Sequence, residues 1–108
     1  MAETEIIDIV KKYLKALRSQ NIQVKTAVLF GSYAKKNAGD AWSDIDILVI
    51  SPNYDLSYTR EEVNQLWRIA SEVDSRIELI AVGEVQWEKD EQNHIIEIAR
   101  HAGIEIID

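Results

Sequence analysis

The sequence predicts a single layered α/β domain, a small mixed sheet with helices packed on it. Short apolar runs rich in β-branched residues alternate along the chain with stretches of helical period, and glycine or proline punctuates the joins. The length of 108 residues matches one ordinary domain with one core and leaves no room for a second, so residues 1–108 are expected to form one unit.

From Thr4 to about Ser19, the residues Ile6, Ile7, Val10, Tyr13, Leu14 and Leu17 recur at helical spacing and define a first helix. Lys11, Lys12, Lys15 and Arg18 fall on its other face, which reads as solvated. "VKTAVLF", Val24 to Phe30, is a buried strand that ends at Gly31. Ser32 is placed to cap a short helix through "YAKK". A second strand, "DIDILVI", runs from Asp44 to Ile50 and stops at "SPN". Thr59 and Glu62 form a capping-box pattern ahead of a helix striped by Val63, Leu66, Trp67, Ala70 and Val73. "RIELIAV", Arg76 to Val82, alternates as a third strand; "EQNHIIEIARHAG" is a helix closed by Gly103, and "IEII" a last short strand.

Composition narrows the chemistry. Zero Cys excludes disulfides, thiolate zinc sites and cysteine nucleophiles. No apolar run approaches the roughly 18 to 20 residues that span a bilayer, and "MAETE" lacks the basic and apolar regions of a secretory signal; the expectation is a cytoplasmic protein that meets no membrane. Nineteen acids against twelve Lys plus Arg give a net charge of -7, the wrong sign for gripping long DNA or RNA by its phosphates. A nucleotide is a different case, because a metal and a few backbone amides neutralise it locally.

The strand "DIDILVI" opens with two acids at positions whose side chains share one face, since residues two apart in a strand point the same way. Leu48 and Ile50 continue that face as core. Ile45, Ile47 and Val49 take the other. Glu78 repeats the pattern on the third strand, ahead of Ile80 and Val82. If the two strands are neighbours, Asp44, Asp46 and Glu78 converge, and hard oxygen donors in that number suit Mg²⁺ or Mn²⁺ with positions left for phosphate. A strand that breaks at Gly31 and enters a helix also offers free backbone N–H groups to an anion. Ser32 can hydrogen-bond such an anion, and Lys35 and Lys36 lie within one turn. Taken alone, Gly-Ser is a turn, Asp-x-Asp an exposed strand start and Glu78 a surface residue; their order is what makes a site.

"GSYAK" followed by "SDIDILV" and "IELIAV" resembles the minimal nucleotidyltransferases of the DNA polymerase beta superfamily, over about Ala27 to Val82, with a similar closing helix and strand in "NHIIEIARHAGIEIID". Their pattern is Gly-Ser, a spacer, Asp-x-Asp in a strand, and a third acid on a later strand. The chain departs from it in a slightly longer spacer, in Lys36 where relatives often carry Gly, and in Glu78 where Asp is commoner. The resemblance implies the nucleotidyltransferase fold. It further implies that Asp44, Asp46 and Glu78 are catalytic and bind two metal ions, Mg²⁺ or Mn²⁺, while Gly31, Ser32 and Lys35 hold the nucleotide's β- and γ-phosphates. The implied reaction is transfer of a nucleoside monophosphate, AMP from ATP, to a hydroxyl with release of pyrophosphate. Minimal domains of this type commonly pair with a HEPN-domain toxin as its antitoxin, so the implied acceptor lies on that partner. The alternative from another class is a silent nucleotide- and metal-binding module that neutralises its partner by occlusion.

Other residues fit blander roles. Trp42 reads as packing under its own loop, with stacking on a base beside Asp44 as the alternative; Trp67 is core by its spacing, and Trp87 covers the sheet edge or meets a partner. His94 and His101, seven apart on the last helix, share a face and read as polar surface.

Overall fold

The computed structural model describes residues 4–31, 44–55 and 57–107. Helix α1, Thr4–Ser19, buries Ile6, Val10, Tyr13, Leu14 and Leu17, the stripe its spacing predicts, with Ile7 packed at the margin. The buried Tyr13 hydroxyl donates to the Leu66 carbonyl at 2.8 Å and ties α1 to the helix that contains Leu66. Burial pushes the Tyr13 phenol well above its ordinary titration range.

Strands β1 (Thr26–Phe30) and β2 (Ile45–Ile50) follow, then a 3-10 turn over Pro52–Tyr54, helix α2 (Arg60–Val73) and strand β3 (Ile77–Val82). Helices α3 (Glu84–Lys89) and α4 (His94–Ala102) and strand β4 (Ile104–Ile106) complete the chain. The sheet order is β3-β2-β1-β4. β1 is antiparallel to both β2 and β4, whereas β2 and β3 are parallel, so the sheet is mixed as predicted.

Alternation divides the strands between two apolar layers. Ala27, Leu29, Ile45, Ile47, Val49, Ile77, Leu79 and Ile106 face α1 and α2. Val28, Leu48, Ile50 and Val82 face the other way, toward Ile96 and Ala99 of α4, with Phe30 and Trp87 against them. Gly103, just past α4, has extended backbone; its lack of a side chain matters because a Cβ there would collide with the Ala99 carbonyl and lie 2.7 Å from Val28. The helix end therefore seats directly on β1.

Several expectations are corrected. Trp67 is 41 % exposed, and Ile69 takes its place in the core beside Leu66 and Ala70. Successive helical residues are about 100° apart, so a stripe centred on Leu66, Ile69 and Ala70 turns Trp67 to the side. Strand β1 starts at Thr26 rather than Val24, and β2 at Ile45 rather than Asp44. β3 starts at Ile77 because Arg76 is held by Asp74, in an ion pair of 2.9 Å, as the chain turns into the strand. Helix α3 was not foreseen: none of its residues is buried, and it is fixed from outside. The Asp55 carboxylate accepts from the Val85 and Gln86 amides at its start, and Arg100 donates to the Trp87 and Gln86 carbonyls at its end. Arg100 also lies over the Trp87 ring, so Trp87 closes the α3–α4 side of the sheet. Among the described residues no helix is long and apolar enough to cross a membrane.

Candidate active site

The antiparallel and parallel registers meet in one row. Phe30 stands opposite Asp46, and Asp46 opposite Glu78. Because β2 and β3 run in the same direction, both carboxylates lie at strand entries, while antiparallel β1 brings its exit, Phe30 and Gly31, to the same end. Adjacent strands are about 4.8 Å apart, so Asp46 and Glu78 project side by side from one face. That face is the one covered by α4, which packs over β1, and by Trp87. The cover stops short of the β3 side of the row: Glu78 is exposed, and the apolar Ile80 on the same face is 39 % exposed.

The electrostatics are unbalanced. Asp46 is half-buried, and its carboxyl titrates above the ordinary carboxylate range, chiefly through burial, then through the charges of Glu78 and Asp44. Among the described residues no cation pairs with Asp44, Asp46 or Glu78, although Lys25 and Arg76 find carboxylates elsewhere. Such a row is relieved either by a proton or by an added cation. The donor set consists of hard carboxylate oxygens, which fits Mg²⁺ or Mn²⁺. Asp44 lies just before β2 and is exposed like Glu78, and among the described residues no three acidic or histidine side chains are drawn together into a metal cage.

Gly31 borders this row from β1. Its φ is +76°, in the left-handed region, and a Cβ built there would lie 2.5 Å from Asp46 Oδ2. Of the phosphate-binding set read from the sequence, Gly31 is described; Ser32 and Lys35 lie outside the described residues, as do Lys36, Trp42 and the short helix expected through "YAKK". The structure thus brings together Gly31, Asp46 and Glu78, with Asp44 one residue ahead of β2. Phe30 belongs to the same row and was missed, because its place opposite Asp46 depends on strand pairing rather than on any local pattern. His94 and His101 are both exposed on one face of α4, bordering a shallow hollow with Glu97, Ile98 and Ala102. A more polar hollow of about 510 Å³, lined by Asn21, Tyr54, Glu62 and Gln65 among others, lies at the opposite end of β1 and β2 and contains no row of acids.

A half-buried aspartate thus faces a glutamate across parallel strands, beside a left-handed glycine. The chain belongs to the nucleotidyltransferase domain family, whose pattern matches residues 10–104. No curated protein matches it. Among solved structures it is similar to a mutant of the toxin–antitoxin pair MntA–HpeT, at 20 % identity and TM-score 0.61, over 90 % of this chain and 71 % of that one. It is also similar to a tri-AMPylated Shewanella oneidensis HEPN toxin in complex with MNT antitoxin (21 % identity, TM-score 0.57, 92 % of this chain and 69 % of the other). A nucleotidyltransferase-like protein of Sulfolobus solfataricus shares 16 % identity with it at TM-score 0.59, over 94 % and 78 % of the two chains. These likenesses establish the fold as that of the nucleotidyltransferases.

Proposed function

We propose that the protein is a metal-dependent nucleotidyltransferase that moves AMP from ATP onto a hydroxyl of a HEPN-domain toxin and so acts as its antitoxin. The observation that carries this reading is the register of Asp46 opposite Glu78, with Gly31 against the Asp46 carboxylate. Toxin–antitoxin neighbours support it, one with an AMPylated HEPN toxin and another, at 22 % identity, with AMP-PNP.

In this reading Asp44, Asp46 and Glu78 hold two Mg²⁺ or Mn²⁺ ions. The bound metal supplies charge to stabilise the attacking and leaving oxygens of an in-line displacement. Gly31, Ser32 and Lys35 bind the β- and γ-phosphates, which orients the α-phosphate toward the acceptor. The acceptor oxygen forms a bond to the α-phosphorus, the bond to the pyrophosphate oxygen breaks, and the hydroxyl proton passes to solvent. The ionised form of Asp46, which burial and then Glu78 and Asp44 disfavour in the bare row, is the one that binds cation, so acidification should weaken metal binding.

The test is transfer of label from ATP labelled at the α-phosphate. Label should appear on the HEPN partner in the presence of Mg²⁺ and not on bulk RNA. Asp46→Asn should stop labelling while the complex still assembles. A partner bound and silenced equally by parent and Asp46→Asn, with no label transferred by either, would replace catalysis with occlusion.

A further inference from the structure

Resting on the assignment of Asp46 as a metal ligand, we propose that Gly31 is a positioning residue for the Asp46 carboxylate, a role separate from any contact with phosphate. Two independent constraints meet at Gly31. The first is its φ of +76°, which L side chains rarely adopt. The second is space: a Cβ would lie 2.5 Å from Asp46 Oδ2, 3.3 Å from its Cγ and 3.4 Å from its Cβ. Favourable contact between heavy atoms begins near about 3.5 Å, so the carboxylate would have to move. Phe30 opposite Asp46 fixes the strand backbones, and the left-handed step at Gly31 follows directly on that pair. The missing side chain therefore leaves free the space in which the Asp46 carboxylate lies, with Glu78 paired to Asp46 on the adjacent strand. Asparagine satisfies the first constraint and violates the second, because it tolerates positive φ yet carries a Cβ.

This difference supplies the experiment. Gly31→Ala and Gly31→Asn are each made in the parent and in an Asp46→Ala background, and urea unfolding is followed without metal. Gly31→Asn should lower the parent's midpoint clearly and that of the Asp46→Ala protein hardly at all, since the colliding atoms are gone. In parallel, Mn²⁺ binding read by water-proton relaxation should be roughly ten- to hundredfold weaker in Gly31→Asn, with the far-ultraviolet dichroism of the parent retained. Should Gly31→Ala fail to fold because of its backbone angle, Gly31→Asn still carries the comparison. Equal losses in both backgrounds, or unchanged Mn²⁺ affinity in Gly31→Asn, would overturn the proposal and leave Gly31 with a backbone role only. A parent that binds no Mn²⁺ would sink the metal assignment instead, and the unfolding cycle would still decide whether Gly31 and Asp46 are coupled.

Discussion

Asp46 and Glu78 stand opposite one another on adjacent parallel strands, one half-buried and one exposed, with no cation paired to either among the described residues. Like charges placed in register are a cost to the folded chain, because the unfolded chain separates them. The consequences can be measured without any partner protein.

The first concerns pH. The Asp46 carboxyl titrates above its ordinary value in the fold, through burial first and then Glu78 and Asp44. Between the ordinary and the raised value the folded form holds more protons than the unfolded one, so metal-free stability falls as pH rises through that window and stays lower above it. Asp46→Asn should therefore melt a few degrees higher than the parent at neutral pH in chelator, and the two should converge on acidification below the ordinary carboxylate range. A variant that melts lower at neutral pH would mean that the fold already satisfies the ionised carboxylate.

Adding metal should reverse the order. A ligand that binds only the folded form stabilises by about 2.7 kcal/mol at a hundred times its Kd. Millimolar Mg²⁺ or Mn²⁺ should thus raise the parent's melting temperature, and the double change Asp44→Asn with Asp46→Asn should abolish the rise. Differential scanning fluorimetry over a metal series checks it, and an undiminished shift in the double variant would place the metal elsewhere.

What the sequence made legible follows from where its information is local. The bounds of α1 were readable because its stripe is unbroken and one-sided, and the acids at the head of β2 stood out because strand period alone sets their face. Strand order is different in kind. That β3 pairs with β2, which turns Asp46 and Glu78 from two anomalies into one row, depends on how α2 crosses the sheet. Helix α3 was invisible because its stabilising partners, Asp55 and Arg100, lie elsewhere in the chain and none of its own residues is fully buried. Trp67 misled because a large aromatic at i+1 from a core leucine extends an apolar stripe as readily as Ile69 does. The glycine before Ser32 was visible as a turn; its closeness to Asp46 Oδ2 was not.

The joint between α1 and α2 gives a stability prediction remote from the site. Tyr13 is fully buried, and its hydroxyl reaches the Leu66 carbonyl, 53 positions away in the chain. Tyr13→Phe keeps the ring and deletes that bond, which should cost about 1 kcal/mol and lower the melting temperature by about 4–8 °C. Urea unfolding with an unchanged slope would confirm a local loss. Catalytic and metal-binding behaviour should be unaffected, since both helices pack on the sheet face opposite the acidic row.

Glu78 allows the last prediction, because its role in metal binding and its burden on the bare fold pull in opposite directions. It faces Asp46 and raises that carboxyl's titration, so Glu78→Gln should stabilise the metal-free protein slightly. The same change removes a charged donor from the proposed metal site. Losing charge stabilisation where it matters for the displacement typically costs about 10²–10³ in rate, and Glu78→Gln should lose nucleotidyl transfer to the partner on that scale. Glu78→Asp keeps the charge and withdraws it by one methylene, so it should retain the metal-dependent melting shift and a measurable part of the transfer. The comparison is decisive because a merely structural Glu78 would rank the variants the other way, with the isosteric Gln closer to the parent in every assay than the shortened Asp.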